Sequence, residues 1–395
     1  MFSPLEQNPS RRICDPPQGE RAFKNVAFSG HTEELCSSVS KYMSGFERDL
    51  MIKHSFHVAG KLMLSGEWSI LTPGHSCLTL PTRGINVCIE PADEACITSP
   101  TYNLERHPLA QLRAARTTTA QFLTTVFREV FAQLGLEDGA LNPFHLRLEN
   151  DPRTYITRNG ITHKLGVGSS ACTVVGIVKA LALFYNIPLD TNKLFNIATA
   201  AHSKAQENLG SGFDIAAAAN GTAIMYTTKS NALTTNYRIT RITLPPDWHI
   251  VVGFSGTSAS TTNLIKIFNS ARIENPERVD SIVKQINECV QALTARIKKN
   301  HIQAAMALIN INQELLHQLS ALCNNALETP PLTEMIKIAA AFGAAAKFSG
   351  AGGGDCVIAL CPDEKTKQKV YDAWSAAGFL SVDKLLLEDE ASTTK

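Results

Sequence analysis

The sequence predicts an α+β chain of two domains, and three observations point to it. Strand-like alternation opens the patterned part of the chain and helical spacing follows it. Clusters of glycine interrupt both. Beyond a proline-containing loop at Pro245 and Pro246, the succession of strands and helices starts afresh. With 395 residues, 44% apolar and 18% charged, there is enough chain for two cores of ordinary globular composition.

Residues 1–52 are rich in Ser, Pro and charge and carry no sustained periodicity, which predicts a loosely ordered extension with one short helix over 32–42. FHVAGKLMLSGEWSIL (56–71) and SCLTLPTRGINVCIEP (76–91) then read as strands about a Pro73-Gly74 turn. Residues 117–134 hold apolar side chains at helical spacing, and FHLRLEN (144–150) alternates as a strand. The clearest helix covers 174–185, with Val174, Val175, Val178, Leu181 and Ala182 on one stripe. A second covers 190–206, and the strand AIMYTT follows Gly221. The second half offers the strand HIVVGFSG, helices over 275–297, 301–325 and 332–342, the strand CVIALC, a helix over 365–378 and a last strand. The expected domains are therefore 53–235 and 245–390, with the boundary between 230 and 245.

Composition narrows the function. The 37 Lys and Arg nearly cancel the 36 Asp and Glu, so a formal charge of +1 gives no general attraction for nucleic acid or an anionic membrane. Lys179 and Lys337 interrupt the most apolar stretches, so no run of about 18 apolar residues suggests a membrane span. The ten cysteines include no C-x-x-C pair, and most read as small core residues of a protein in the reducing cytoplasm.

Four segments carry candidate chemistry. In KLGVGSSACTVV, Gly166 to Ala171 lead into the clearest helix, where inward-turned amides and the positive end of the helix dipole suit a phosphate. The pattern matches neither the lysine-bearing P-loop nor the dinucleotide fingerprint. A serine-capped helix behind a glycine turn explains the same residues. In KFSGAGGGDCVIAL, four glycines in five positions between a helix and a strand allow close approach of backbone to a ligand, more than a plain turn needs. Asp214, in GSGFDIAAAANG, is either a helix cap worth ~1 kcal/mol or a carboxylate beside a phosphate site. Lys61, in VAGKLMLSGEW, either faces solvent or neutralises a transferring phosphoryl group.

Taken in order, these segments resemble the GHMP kinase superfamily. Its Ala-Pro-Gly-Lys and following Gly-Glu are similar to Ala59-Gly60-Lys61 and Gly66-Glu67. Its Gly-Leu-Gly-Ser-Ser-Ala is similar to Gly166-Val167-Gly168-Ser169-Ser170-Ala171, and its third motif to Ser349 through Gly354. GSGFDIAAAANG, GAGGGDCVIAL and VVGFSGTSASTTNLI are most like the phosphomevalonate kinase family within that group. The resemblance implies an N-terminal α/β domain of the ribosomal protein S5 domain 2-like type and a ferredoxin-like C-terminal domain, with the site in the cleft between them.

It also implies ATP- and Mg²⁺-dependent phosphorylation of 5-phosphomevalonate to 5-diphosphomevalonate by a monomer or homodimer. Lys61 and Asp214 are implied as catalytic, and Gly166, Val167, Gly168, Ser169, Ser170 and Ala171 as holding the ATP phosphates, with Ser170 on Mg²⁺. Ser258, Ser260, Thr261, Ser349, Gly350, Ala351, Gly352 and Gly353 are implied on the acceptor. Ala59 departs from the motif's proline. The Mg²⁺-binding glutamate of mevalonate kinases has no clear counterpart, with Ala205, Gln206 and then Glu207 in its neighbourhood. Arg83, Arg113, Arg116 and Lys204 are unranked candidates for the acceptor phosphate. Mevalonate kinase, another small-molecule kinase of the group, and a non-catalytic ligand-sensing relative are the alternatives.

Overall fold

The computed structural model describes residues 52–112, 114, 117–136, 142–158, 160–206, 211–228, 237–382 and 384–387. The short helix expected over 32–42 lies outside them, as does the rest of the N-terminal extension up to residue 51.

Seven strands build the first sheet: β1 (His54–Ser65), β2 (Ser76–Pro91), β3 (Cys96–Ser99), β4 (Leu104–Pro108), β5 (Phe144–Asn150), β8 (Ile224–Thr228) and β9 (Tyr237–Arg241). A separate hairpin joins β6 (Tyr155–Arg158) to β7 (Ile161–Lys164). The order is β4-β3-β5-β2-β8-β9, with β1 also paired to β2, and every pair is antiparallel except β3 with β5. β9 falls between the two expected domain ranges and pairs with β8. The strand expected over 56–71 stops at Ser65, because positive φ at Gly66 (105°) and Trp68 (62°) turns the chain into a 3-10 helix, Ser69–Leu71.

Four helices cover one face of this sheet: α1 (Thr118–Leu134), α2 (Ser169–Phe184), α3 (Thr191–Ala205) and α4 (Phe213–Asn220). Thr117 caps α1 by accepting from Ala120 N (3.2 Å), and Asp190 caps α3 by accepting from Lys193 N (2.7 Å). α2 is buried nearly all round, which is why its apolar pattern reads so clearly.

The second sheet is antiparallel, with the order β11 (Ala345–Phe348), β12 (Cys356–Cys361), β10 (His249–Phe254), β13 (Leu380–Ser381). With it go α5 (Thr261–Glu274), α6 (Pro276–Lys298), α7 (Ile302–Leu322), α8 (Pro330–Ala341) and α9 (Glu364–Ala376). All of β12 is buried: Val357, Ala359 and Cys361 enter a core with the helices, while Cys356, Ile358 and Leu360 enter another shared with Leu62 and Leu64 of β1. The two lobes thus have a common apolar wall. α5 was not among the expected helices, for its buried residues, Leu264, Phe268 and Ala271, make only a thin stripe behind two β-branched threonines. No helix among the described residues is long and apolar enough to cross a membrane.

Candidate active site

A cavity of about 690 Å³ is lined by residues from all four glycine- or lysine-bearing segments. Its geometry begins at a bulge between Val58 and Gly60 in β1. A Cβ on Gly84 would lie 2.2 Å from the Val58 carbonyl oxygen, and one on Gly60 would lie 2.7 Å from that of Val167. Glycine at both positions therefore lets β1, β2 and the loop before α2 close on one another. Lys61 N donates to Val167 O (2.9 Å), and Lys61 Nζ reaches Gly166 O (3.3 Å) while sitting 5.6 Å from the centre of the Phe213 ring. Ala59, where the motif has proline, is held inside β1, and its carbonyl accepts from Cys172 Sγ (3.3 Å).

Two helices begin on this cavity. α2 has Gly168 (φ 80°) as its N-cap and α4 has Gly212 (φ 77°), and neither receives a side-chain capping bond. Their first-turn amides, apart from Ile215 N, are thus left for a ligand, each with a positive helix end behind it. Ser169 and Ser170 are the first helical residues of α2 rather than its cap. Asp214 is the second residue of α4, not its cap either, and its Oδ1 accepts from Ile215 N (2.9 Å). No ion pair joins Asp214 to Lys61 among the described residues.

The third wall comes from the segment after β11. Ser349 Oγ accepts from Met63 N (2.8 Å), and Lys347 Nζ donates to Glu67 Oε1 and to Phe348 O (2.6 Å). Both charged side chains of the Glu67–Lys347 pair are fully buried, and Gly350 N adds a contact to Glu67 Oε1 (3.4 Å). Burial pushes the Glu67 carboxyl up and the Lys347 ammonium down, against their mutual attraction. A Cβ on Gly352 would lie 2.1 Å from Leu327 O, so only glycine fits beneath this loop. Burial likewise raises the Asp355 carboxyl, opposed by the charge of Lys61, and the same carboxylate abuts the backbone at Gly166.

Of the expected site residues, Lys61, Asp214, Gly166, Gly168, Ser169, Ser170, Ser258, Thr261, Ser349, Gly350 and Ala351 line this one cavity. Val167 and Ala171 are buried behind it, Ser260 is exposed at the start of α5, and Gly352 and Gly353 pack under the loop against Leu327. Lys204 instead pairs with Glu129 (2.5 Å), and Arg83 does not line the cavity. Arg113, Arg116 and Glu207 lie outside the described residues.

Sequence reasoning missed Lys164, which lines the cavity at the end of β7. No carboxylate pairs with it among the described residues, and burial holds its ammonium below the ordinary lysine range. Its one signal is adjacency to the glycine loop. Trp68 was missed too: it lines the cavity with positive φ, stacks on Phe268 (4.7 Å) and has an indole Nε1 without a partner.

Among the described residues no cluster of three or more His, Cys, Asp or Glu could cage a metal ion. The oxygens of Ser170 and Asp214 suit Mg²⁺ nonetheless, since that ion takes one or two protein oxygens and completes its shell with phosphates and water.

Comparison with known proteins decides the family. Residues 121–222 match the GHMP kinases N terminal domain, and residues 289–379 match the GHMP kinases C terminal family. The chain carries both GHMP kinase domains, N terminal and C terminal. Among characterised GHMP kinases it is 26% identical over 365 residues to the phosphomevalonate kinase of Streptomyces sp. (strain CL190), covering 82% of this chain and 94% of that one. The phosphomevalonate kinase of Saccharolobus solfataricus is 29% identical over 266 residues, covering 67% and 76%. In fold, this GHMP kinase is similar to Streptococcus pneumoniae phosphomevalonate kinase solved with phosphomevalonate and AMPPNP, with a TM-score of 0.70 at 24% identity over 83% of this chain and 98% of that one.

Proposed function

We propose that this GHMP kinase transfers the terminal phosphoryl group of ATP to the phosphate of 5-phosphomevalonate, giving ADP and 5-diphosphomevalonate on the mevalonate route to isoprenoids. One observation carries the reading: two glycine-capped helix starts and two amines, Lys61 and Lys164, meet in one cavity, so two phosphate groups find donors side by side. Similarity to two phosphomevalonate kinases supports the choice of acceptor.

The amides from Gly166 to Ala171 and the Lys164 ammonium hold the ATP phosphates, and Lys61 offsets the charge that accumulates between donor and acceptor phosphates. The nucleophile is an acceptor phosphate oxygen, already anionic, so no general base is needed and Asp214 orients rather than removes a proton. Mg²⁺ bound with ATP would be held by Ser170 and Asp214, and supplies further charge neutralisation. Ser258, Thr261, Ser349, Gly350 and Ala351 face the acceptor. The eight described cysteines are all free thiols, which fits a reaction in the reducing cytoplasm.

An ADP-release assay with phosphomevalonate, mevalonate, homoserine and galactose tests the proposal. Turnover is expected with phosphomevalonate alone. Turnover of mevalonate without phosphomevalonate would make the protein a mevalonate kinase, and ATP binding without turnover of any acceptor would make it a ligand sensor.

A further inference from the structure

We infer that Thr199, His202 and Ser211 form the subsite that grips the acceptor's phosphate. The inference rests on the phosphomevalonate reading and adds to it the groups that no motif could place. All three line the cavity, and they are only 2%, 7% and 8% exposed. Thr199 Oγ1, His202 Nε2 and Ser211 Oγ are nevertheless without a hydrogen-bond partner. Buried polar atoms are nearly always partnered, so three orphans on one cavity wall call for a ligand that bonds to them.

Their placement and chemistry identify which ligand. Thr199 and His202 stand three residues apart on the last turns of α3 and so share a face. Ser211 directly precedes the Gly212 cap of α4, three residues before Asp214. The wall is therefore built by the end of α3 and the segment leading into α4, elements separate from the loop from Gly166 to Ser170. Two hydroxyls, an imidazole N–H in the Nε2 tautomer and the first two amides of α4, ahead of the bonded Ile215 N, are all donors, the complement of phosphate oxygens.

α3 carries no Asp or Glu along its whole length, so no like charge from that helix faces an incoming dianion. The His202 ring packs against Phe122, with ring centres 6.4 Å apart and planes at 89°. An acceptor with a neutral hydroxyl at its reacting end would leave most of these donors unused.

The test is steady-state kinetics of His202→Leu and His202→Gln with phosphomevalonate and ATP varied in turn, together with thermal melting and calorimetric binding of AMPPNP. His202→Leu is expected to raise the KM for phosphomevalonate at least about tenfold, the scale of one hydrogen bond to a charged group, with the KM for ATP and AMPPNP binding within about twofold of wild type. His202→Gln, whose amide N–H reaches towards the place of Nε2, is expected to recover most of that loss. An unchanged KM for phosphomevalonate in His202→Leu, or a rise confined to ATP, overturns the subsite. So does His202→Gln no better than His202→Leu with the same drop in Tm, since the role is then structural. If wild type ignores phosphomevalonate and uses another acceptor, the functional reading and the subsite fall together; every other adverse result removes the subsite alone.

Discussion

Lys61 and Asp214 reach the cavity from different elements, β1 and α4, and neither supports the core, so their removal should cost catalysis and not folding. Lys61→Ala and Asp214→Ala are each expected to lower kcat about 10²- to 10³-fold, with Tm within about 2 °C of wild type, as read by the ADP-release assay and thermal melting. Lys164 adds a pH signature. Its pKa is depressed by burial, so its charge is present at lower pH and lost as pH rises through a value below the ordinary lysine range. The alkaline limb of kcat/KM for ATP, which reports the free enzyme, should therefore set in earlier than for an exposed lysine. Lys164→Arg, charged throughout, should remove that limb. Lys61 and Asp214 were legible because each sits inside a short pattern of small residues. Lys164, Thr199 and His202 were not: a lone lysine beside a hairpin, or a Thr and His at helical spacing, matches many surfaces and cores, and only tertiary placement turns them towards a ligand.

Elements buried on both faces behaved differently from those carrying a charge. The strands at 76–91, 144–150 and 356–361 are read to the residue, since alternation or a continuous apolar run marks each. β11 was missed because it is four residues long and holds Lys347, whose charge normally signals solvent. That lysine makes a sharp stability prediction. Lys347→Met leaves the Glu67 carboxylate buried and unpaired, and should cost about 3–5 kcal/mol in urea unfolding. The double variant Glu67→Gln with Lys347→Met should regain a large part of it, because no buried charge remains. A double variant as unstable as the single one would mean that the pair is not the source of the loss.

At the scale of the whole molecule, β12 faces two cores at once, and β1 with the turn after it is tied to the second lobe by Met63 N on Ser349 Oγ, by Ser65 Oγ on Asn312 Oδ1 (2.6 Å) and by Glu67 on Lys347. Neither lobe can lose its fold without exposing apolar surface of the other. Calorimetry should therefore show one cooperative transition across residues 52–387, with the van't Hoff enthalpy matching the calorimetric one. Two separated transitions would show that the shared wall does not couple the lobes. AMPPNP at about 100 times its Kd should stabilise that single transition by ~2.7 kcal/mol. The sequence predicted two α+β parts correctly, yet the common wall was hidden, since alternating apolar residues look the same whether their second face meets a helix or another sheet.

The indole of Trp68 leads outside energetics. The protein has three tryptophans, and two are spoken for: Trp248 donates to Asn300 Oδ1 (2.7 Å) and Trp374 to Met335 O (2.8 Å), neither on the cavity. Trp68 alone pairs an unbonded N–H with a place in the cavity wall. In a variant with Trp248→Phe and Trp374→Phe, all tryptophan fluorescence would come from the ligand's doorstep. A titration with substrate could then be followed as a change in emitted light, with no dye attached.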